Sequence, residues 1–292
     1  MTFERFKALH HGTQPLLLPN AWDHASAAAL AAAGFAAVGT TSLGVAAAAG
    51  LPDAEQATRA QTVSLARGIA TLGVPVTVDI EGGFGGPPAR VADLAAELAD
   101  AGVAGVNIED GRGQGLAETA EQVALIGAIK QRAPRLFVNA RTDPFWLGTP
   151  DALATAVHRV RAYADAGADG VFVPGATGQR QLQALVAAAP VPLNVLIQAE
   201  VPGATGQRQL QALVAAAPVP LNVLIQAEVP VARLAALGVA RVSYGSLLFR
   251  AALRAAVTTA LQVAGGDPVP GDLPSYEQVQ RLWRRPAGAD PA

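Results

Sequence analysis

A TIM (β/α)8 barrel is the fold that this sequence predicts, on three observations. Short apolar runs rich in β-branched residues alternate with Ala- and Leu-rich helical patterns, which is typical of βα units. Eight such units fit into the 292 residues, which is the size expected of this barrel. Several helical patterns end in a glycine, as a left-handed C-cap favours. A doubly wound sheet is the alternative, but the first strand ends in LLLPNAWDH and not in a Gly-rich dinucleotide turn.

The elements follow from these patterns in chain order. The predicted strands are Pro15–Pro19, Ala36–Ser42, Pro75–Glu81, Gly105–Asp110, Leu136–Asp143, Gly170–Gly175, Pro192–Ile197 and Arg241–Ser246. The helical patterns between them include Ala54–Thr71, Ala89–Ala101, Leu116–Gln131, Pro150–Ala166 and Arg180–Ala188. An amphipathic helix with Trp283 as its anchor is predicted at the C-terminal end, Tyr276–Arg285.

Residues 173–200 and 201–228 are identical in sequence. Two copies are too few for a solenoid, which needs about three units to bury a core. We therefore interpret the repeat as a local duplication within a single domain, residues 1–292. Because a closed eight-stranded barrel has no edge that accepts a ninth strand, we expect one copy to supply the sixth helix and seventh strand. The other copy is expected to be extruded.

Composition excludes several function classes. The net charge of −2 and the absence of a basic run argue against nucleic acid and anionic membrane surfaces as partners. With no cysteine, the chain has no disulfide, thiolate metal site or cysteine nucleophile. No apolar stretch near the N-terminus resembles a signal peptide, so we expect a cytoplasmic protein. The two lysines, Lys7 and Lys130, lie away from strand ends, which argues against a Schiff-base aldolase.

Polar side chains recur where the predicted strands end. Since alternate strand residues share a face, these side chains converge on the C-terminal mouth, where TIM-barrel active sites lie. The polar or aromatic residues at strand ends are Asn20, Trp22, Asp79, Glu81, Asn107, Glu109, Asn139, Arg141, Asp143, Asn194 or its duplicate Asn222, and Ser243. Carboxylates with few histidines suit Mg²⁺, or Mn²⁺ in its place. Arg141 suits a substrate carboxylate or phosphonate.

The order of the strand-end motifs identifies a family. LPNAWD, GTTS, GLPD, VDIEGGFG, NIED, NARTD and VSYGS together resemble the phosphoenolpyruvate mutase/isocitrate lyase superfamily from about Leu18 to Arg254. The resemblance implies a Mg²⁺-dependent enzyme that makes or breaks a C–C or P–C bond beside a carboxylate through an enolate-like species. It also implies a homo-oligomer, a dimer or a tetramer, because C-terminal helices exchange between subunits in that family.

The resemblance implies metal-binding roles for three acids. Asp79 resembles the principal metal-binding carboxylate. Glu81 stands where the family usually has an aspartate, and its longer arm is expected to act through a water. Glu109 is similar to the third acid of the metal shell, and we also count it among the catalytic residues.

The substrate-binding residues come from other strands. Arg141 resembles the arginine that holds the substrate and steadies the enolate oxygen. Residues Thr40, Thr41 and Ser42 resemble the turn that grips the substrate carboxylate. Asp53 resembles a mobile-loop aspartate beside the reacting centre. Trp22 is predicted either to wall the pocket or to pack in the core. Asn194 and Asn222 are predicted substrate contacts at the seventh strand.

Departures from the family pattern reduce the range of activities that we expect. Lyases of the family carry a cysteine-containing segment after the fourth strand, where this chain reads GRGQGLAETAE. The asparagine-bearing gating loop of the phosphonate enzymes and the histidine after the sixth strand are also missing. The sequence thus predicts a lyase or decarboxylase acting on a small 2-keto or 2-hydroxy carboxylate, with acyl-group hydrolysis open. The alternative is a catalytically impaired barrel that binds a small carboxylate or serves as an assembly subunit.

Overall fold

Parallel strands form the main sheet in a computed structural model of the protein, which describes residues 2–195, 211–212, 214–224 and 229–282. In chain order the strands are β1 (Leu16–Leu18), β2 (Asn20–Ala21), β3 (Val38–Thr40), β4 (Val76–Asp79), β5 (Gly105–Glu109), β6 (Gly111–Arg112), β7 (Gly115–Leu116), β8 (Phe137–Arg141), β9 (Gly170–Val173), β10 (Leu193–Val195), β11 (Leu221–Leu224) and β12 (Arg241–Ser243). Strands β6 and β7 form a separate antiparallel hairpin. The predicted parallel βα barrel is confirmed.

Helices follow most of the strands. In chain order they are α1 (Thr2–Leu9), α2 (His24–Ala32), α3 (Ser42–Ala49), α4 (Arg59–Ile69), α5 (Pro88–Asp100), α6 (Thr119–Arg132), α7 (Ala152–Asp165), α8 (Gln179–Ala188), α9 (Val231–Ala236), α10 (Leu247–Ala264) and α11 (Tyr276–Arg281). Fully buried aliphatic side chains fill the space between strands and helices, among them Val38, Val78, Val106, Ile126 and Val171. The hydrophobic residues, which are 51% of the chain, supply this buried layer.

The sheet returns to its starting point. Its order runs β1-β12-β11-β10-β9-β8-β5-β4-β3-β2, and β1 and β2 are consecutive pieces of one segment separated only by Pro19. Proline has no N–H to donate, but the Pro19 carbonyl accepts a bond of 2.8 Å from the N–H of Gly39 on the β3 side. Helix α1 covers the N-terminal end of the barrel with Phe3 and Phe6, which pack against Phe137 and neighbouring apolar residues. The C-terminal mouth is left as the end where polar groups gather.

Both repeat copies contribute a strand, so the expectation that one copy is extruded is wrong. Strand β10 of the first copy pairs with β9 and with β11, and β11 of the second copy pairs with β12. Leu193 of β10 and Leu221 of β11 are both buried. Burying an apolar strand in the sheet is more favourable than leaving it exposed to water, so the second copy's strand enters the barrel. The barrel therefore has nine strands when β1 and β2 are counted as one.

The helix of the second copy is less covered than that of the first. In α8, Leu182, Leu185 and Val186 are buried. The described helical residues of the second copy, 211–212 and 214–216, are exposed or half-buried. The duplication therefore extends the sheet while its second helix lies nearer the surface.

Three of the predicted boundaries that differ from the structure lie near the mouth. The strand predicted at Ala36–Ser42 ends at Thr40, and Ser42 already begins α3. The strand predicted at Pro75–Glu81 ends at Asp79, and Glu81 has a left-handed φ of 50°. The helix predicted at Ala54–Thr71 begins only at Arg59, since residues 51–58 form a loop.

Helix α10 projects from the barrel with most of its apolar side chains in water. Only Phe249 on this helix is buried, and it packs edge-on against Trp22 at 5.4 Å between ring centroids. By length and composition alone, α10 could cross a membrane; it carries Arg250 and Arg254 in its first half. The described part of the predicted C-terminal helix is α11, and Trp283 lies outside the described residues.

Candidate active site

Arg141 lies at the centre of the mouth, at the end of β8. Its Nη1 contacts Glu109 Oε2 at 2.9 Å and its Nε donates to Asp143 Oδ1 at 2.7 Å. The guanidinium lies over the rings of Phe172 and Trp146, with its central carbon 5.6 and 6.0 Å from their centroids. Flanking acids and rings fix the orientation of the cation, as recognition of a planar anionic group requires.

Two carboxyl groups at neighbouring strand ends have raised pKa values. Burial raises the pKa of Glu109 to about 8; the Arg141 charge opposes this shift, and the charges of Asp79, Asp143 and Asp53 add to it. Burial raises the pKa of Asp79 to about 6 against the hydrogen bond from the Glu81 N–H and the charge of Arg141. More negative charge is gathered here than one guanidinium neutralises, which is the condition under which a site takes up a cation.

A buried network beneath the mouth holds Arg141 and Asp143 in place. Asp110 is fully buried, and its Oδ2 accepts from Thr142 Oγ1 at 2.6 Å, Arg159 Nη1 at 2.9 Å and Tyr163 Oη at 2.6 Å. Its Oδ1 accepts from the Asp143 N–H at 2.9 Å. Because every oxygen of this carboxylate is engaged, the strand end that carries Arg141 and Asp143 has little freedom to move.

The same network fixes the hairpin that follows β5. Arg159 Nη2 donates to the Ala117 carbonyl at 2.7 Å, and the Ala117 N–H donates to the Asp110 carbonyl at 2.8 Å. The segment after β5 is thus a short hairpin of β6 and β7, and Ala117, which follows β7, is bonded both to Arg159 and to Asp110.

Thr40, Thr41 and Ser42 lead from the end of β3 into the first residue of α3, beside Asp79. The N–H of Asp79 donates to Thr40 Oγ1 at 2.9 Å, so the hydroxyl connects the ends of β3 and β4. Thr41 is the N-cap of α3 and its side chain makes no cap hydrogen bond. The first-turn N–H groups of a helix have no intrahelical partners and carry a partial positive charge, which suits a carboxylate. The predicted turn is in place at the mouth.

Glu81 is not placed as predicted. Its left-handed backbone, after the last residue of β4, breaks the alternation that would put it on the face of Asp79. Its Oε2 accepts from the Gln56 N–H at 2.8 Å and its Oε1 from Thr58 Oγ1 at 2.6 Å. Both carboxylate oxygens are thus bonded to the loop of residues 51–58, which we call the Asp53 loop.

Asp53 lies close enough to the cluster for its charge to raise the pKa values of Asp79 and Glu109. Its Oδ1 is buried and has no hydrogen-bond partner in the part of the chain that the structure describes. A buried carboxylate oxygen without a donor calls for a ligand, a water or an ion.

The remaining predicted contacts lie deeper or to one side. Trp22 is half-buried between Phe249 and α3, where a Cβ on Gly44 would lie 2.7 Å from Trp22 Cβ. Asn194 Nδ2 donates to Asn139 Oδ1 at 2.7 Å, in a ladder that continues from Asn139 Nδ2 to Asn107 Oδ1. This ladder occupies the amide nitrogen of Asn194 inside the barrel.

Asn222 is the equivalent residue of the second repeat copy. It is 1% exposed, and neither amide atom has a hydrogen-bond partner among the described residues. Its substrate contact stays a prediction, as does that of Asn194.

The donor set fits Mg²⁺ with water-completed coordination. Within the described residues no three acidic or histidine side chains are close enough to hold an ion between them. Asp79 and Glu109 would supply one or two carboxylate ligands, and Mg²⁺ commonly keeps several waters with such a set. The unpartnered oxygen of Asp53 and the excess of carboxylates support the fit.

Sequence reasoning missed the network around Asp110. Arg159 and Tyr163 are 49 and 53 positions away from Asp110. They are four residues apart on α7, which marks them as one helix face but gives no signal of the partner. It likewise missed Gln56 and Thr58, whose roles depend on the path of a loop.

Comparison with known proteins identifies the family of the chain. The family model described as phosphoenolpyruvate phosphomutase matches residues 6–202 and 198–264, and the break falls where the two repeat copies meet. An uncharacterized protein of Mycobacterium tuberculosis strain H37Rv is 42% identical over 277 residues, 95% of each chain. The 2-methylisocitrate lyase of Bacillus subtilis strain 168 is 34% identical over 199 residues, 65% of each chain.

A solved structure shares the fold. Phosphonopyruvate hydrolase, crystallised with oxalate and Mg²⁺, superposes with a TM-score of 0.74 at 24% identity, covering 97% of this chain and 94% of its own. The family match covers most of the described barrel, including the strand ends that form the mouth. The chain therefore belongs to the phosphoenolpyruvate mutase/isocitrate lyase superfamily.

Proposed function

We propose that the protein is a Mg²⁺-dependent lyase or decarboxylase-type enzyme acting on a small 2-keto or 2-hydroxy carboxylate through an enolate-like species. The observation that carries this proposal is the oriented Arg141 among carboxylates in excess, at the mouth that also holds the start of α3. Superfamily members are Mg²⁺-dependent lyases and mutases of small carboxylates, which supports the same class.

Different residues of the site have different roles in the proposed reaction. The first turn of α3, with Thr40, Thr41 and Ser42, binds the substrate carboxylate. Arg141 stabilises the oxygen that gains charge as the bond breaks, by charge already oriented before the reaction. Asp53 offers a carboxylate for proton transfer beside that centre. Asp79 and Glu109 would hold Mg²⁺, which would supply further positive charge at the reacting centre.

The short hairpin after β5 limits which reactions of this class the protein can catalyse. It carries no cysteine, so the proton donor of the cysteine-containing lyases has no counterpart in this chain. Oxaloacetate-type decarboxylation and acyl-group hydrolysis also release a carbanion that takes up one proton, but water or Asp53 can supply this proton in place of a cysteine. A lyase of another 2-keto or 2-hydroxy acid is the remaining member of this class.

A second candidate is a catalytically impaired barrel that binds a small carboxylate or acts as an assembly subunit. The observation that favours it is the ninth strand, which leaves both amide atoms of the buried Asn222 without partners among the described residues. A barrel altered in this way can keep its fold while its mouth loses the spacing that turnover needs.

We further propose a homo-oligomer, a dimer or a tetramer, located in the cytoplasm. The exposed apolar face of α10 is the surface that a second copy would cover. The net charge of −2 and the absence of a basic run argue against nucleic acid and anionic membrane surfaces as partners.

Thermal unfolding with oxalate, with and without Mg²⁺, tests the enzyme proposal. Oxalate resembles a pyruvate enolate in shape and charge, and a ligand that binds only the folded state raises the melting temperature. We expect a rise that requires both additions, is lost in Asp79→Ala, and persists in Asp267→Ala, which removes an exposed carboxylate. Turnover is then screened from oxaloacetate onward. An unchanged melting temperature in a cooperative transition would favour the impaired barrel.

A further inference from the structure

We propose that Glu81 is a positioning residue that fastens the Asp53 loop across the mouth, and that it is not a ligand of the metal. The proposal deepens the proposed function, because it rests on Asp53 acting beside the reacting centre. It separates Glu81 from Asp79, although the two residues are adjacent acids of one motif.

Both side-chain oxygens of Glu81 are hydrogen-bonded to the Asp53 loop. The residue is 2% exposed, and its two oxygens accept from the Gln56 N–H and from the hydroxyl of the fully buried Thr58. Hydrogen bonds to an ionised carboxylate are shorter and stronger than neutral ones, so these two contacts hold the loop at both its middle and its end.

The backbone of the loop needs such a fastening. Ala54 and Gln56 have φ values of 59° and 64°, in the left-handed region that residues other than glycine rarely adopt. Strained backbone of this kind persists only where surrounding contacts enforce it. The lack of a side chain at Gly85 leaves room for the Gln56 side chain, since a Cβ there would lie 2.4 Å from Gln56 Oε1.

Glu81 also connects the loop to the candidate metal ligands. Its N–H donates to Asp79 Oδ1 at 3.0 Å, and its carbonyl accepts from the Glu109 N–H at 2.9 Å. The position of Asp53, three residues before Gln56, is thereby set relative to both acids. The glutamate side chain is long enough to reach the loop from the residue pair that follows β4.

Hydrogen exchange at the Gln56 amide, combined with kinetics, tests the proposal. In Glu81→Asp, whose carboxylate is too short for both contacts, we expect this amide to exchange about tenfold faster. With oxaloacetate as substrate, kcat should fall about tenfold while KM and the Mg²⁺-dependent oxalate shift change little. Thr58→Val should move exchange in the same direction, and Thr58→Ser should retain the protection.

Asp79→Asn is the matched control. It should keep Gln56 protected and lose the oxalate shift, the reverse of Glu81→Asp. Unchanged exchange in Glu81→Asp, or loss of the Mg²⁺-dependent shift as in Asp79→Asn, would overturn the fastening role. A wild-type chain without any oxalate shift would contradict the proposed function alone, because exchange at Gln56 measures the fastening independently of turnover.

Discussion

At the scale of single residues, a buried basic pair closes the barrel at the end opposite the mouth. His10 Nδ1 donates to the Phe6 carbonyl at 2.9 Å, so its Nε2 is left to accept from Arg241 Nη1 at 3.1 Å. The ring stacks on Phe137, with 5.0 Å between centroids. Burial lowers the pKa of His10 to about 3, with a smaller effect of the Arg241 charge.

This shift predicts a pH dependence of stability. Between pH 6.5 and 3 the unfolded chain binds a proton at His10 that the folded chain does not, so acid favours unfolding by about 1.4 kcal/mol per pH unit. His10→Gln removes this contribution. Urea unfolding at pH 7, 6 and 5 should show the stability advantage of the wild type over the variant shrinking as the pH falls. Parallel stability curves would contradict the pKa assigned to His10.

At the scale of elements, α10 is notable for the apolar side chains that it exposes to water. Leu253, Val257 and Leu261 are 53%, 60% and 68% exposed and lie four residues apart, which places them on one stripe of the helix. An apolar stripe of this kind marks an association surface. Since a second copy presents the same stripe, a symmetric contact can cover both.

Negative charge introduced on the stripe should dissociate the oligomer. We expect the wild type to sediment as a dimer or tetramer and the double variant Val257→Asp, Leu261→Asp to sediment as a monomer, because two buried carboxylates cannot be accommodated in an apolar contact. Thr258→Asp, on an adjacent face, should keep the wild-type mass. A monomeric wild type, or wild-type chain that partitions into lipid vesicles, would contradict the proposal.

At the scale of the whole molecule, the duplication changes the barrel itself. Deleting 201–228 or 173–200 yields the same sequence, so a single shortened chain tests the effect. It should fold with eight strands, retain the Mg²⁺-dependent oxalate shift and unfold with a free energy higher by about 1–3 kcal/mol, the cost of one buried unpartnered polar group. Urea unfolding measures the difference.

Two single substitutions provide the matched comparison for the deletion. Asn222→Leu should be neutral or stabilising, because its amide has no partner among the described residues, whereas Asn194→Leu should destabilise by breaking its bond to Asn139. Equal effects of the two substitutions, or a shortened chain less stable than the full one, would show that the ninth strand is an integral part of the fold.

The sequence by itself determined the alternation of strands and helices and the residues at their ends. Asp79, Glu109 and Arg141 each end a strand, one or two residues before the predicted ends, and parallel strands bring their carboxyl ends to one mouth whatever the detailed packing. Local period and strand direction are enough for these residues. Strand β3 likewise ends at Thr40, two residues before the predicted end at Ser42.

Tertiary structure decided what depends on distant partners or on a single backbone angle. Glu81 leaves the face of Asp79 because one left-handed φ ends the alternation, and Asp110 meets Arg159 and Tyr163 across about fifty positions of chain. The two identical copies share every local preference, so sequence could not determine whether both strands enter the barrel. That outcome depends on the apolar area buried when the sheet closes, and closure is a property of all the strands together.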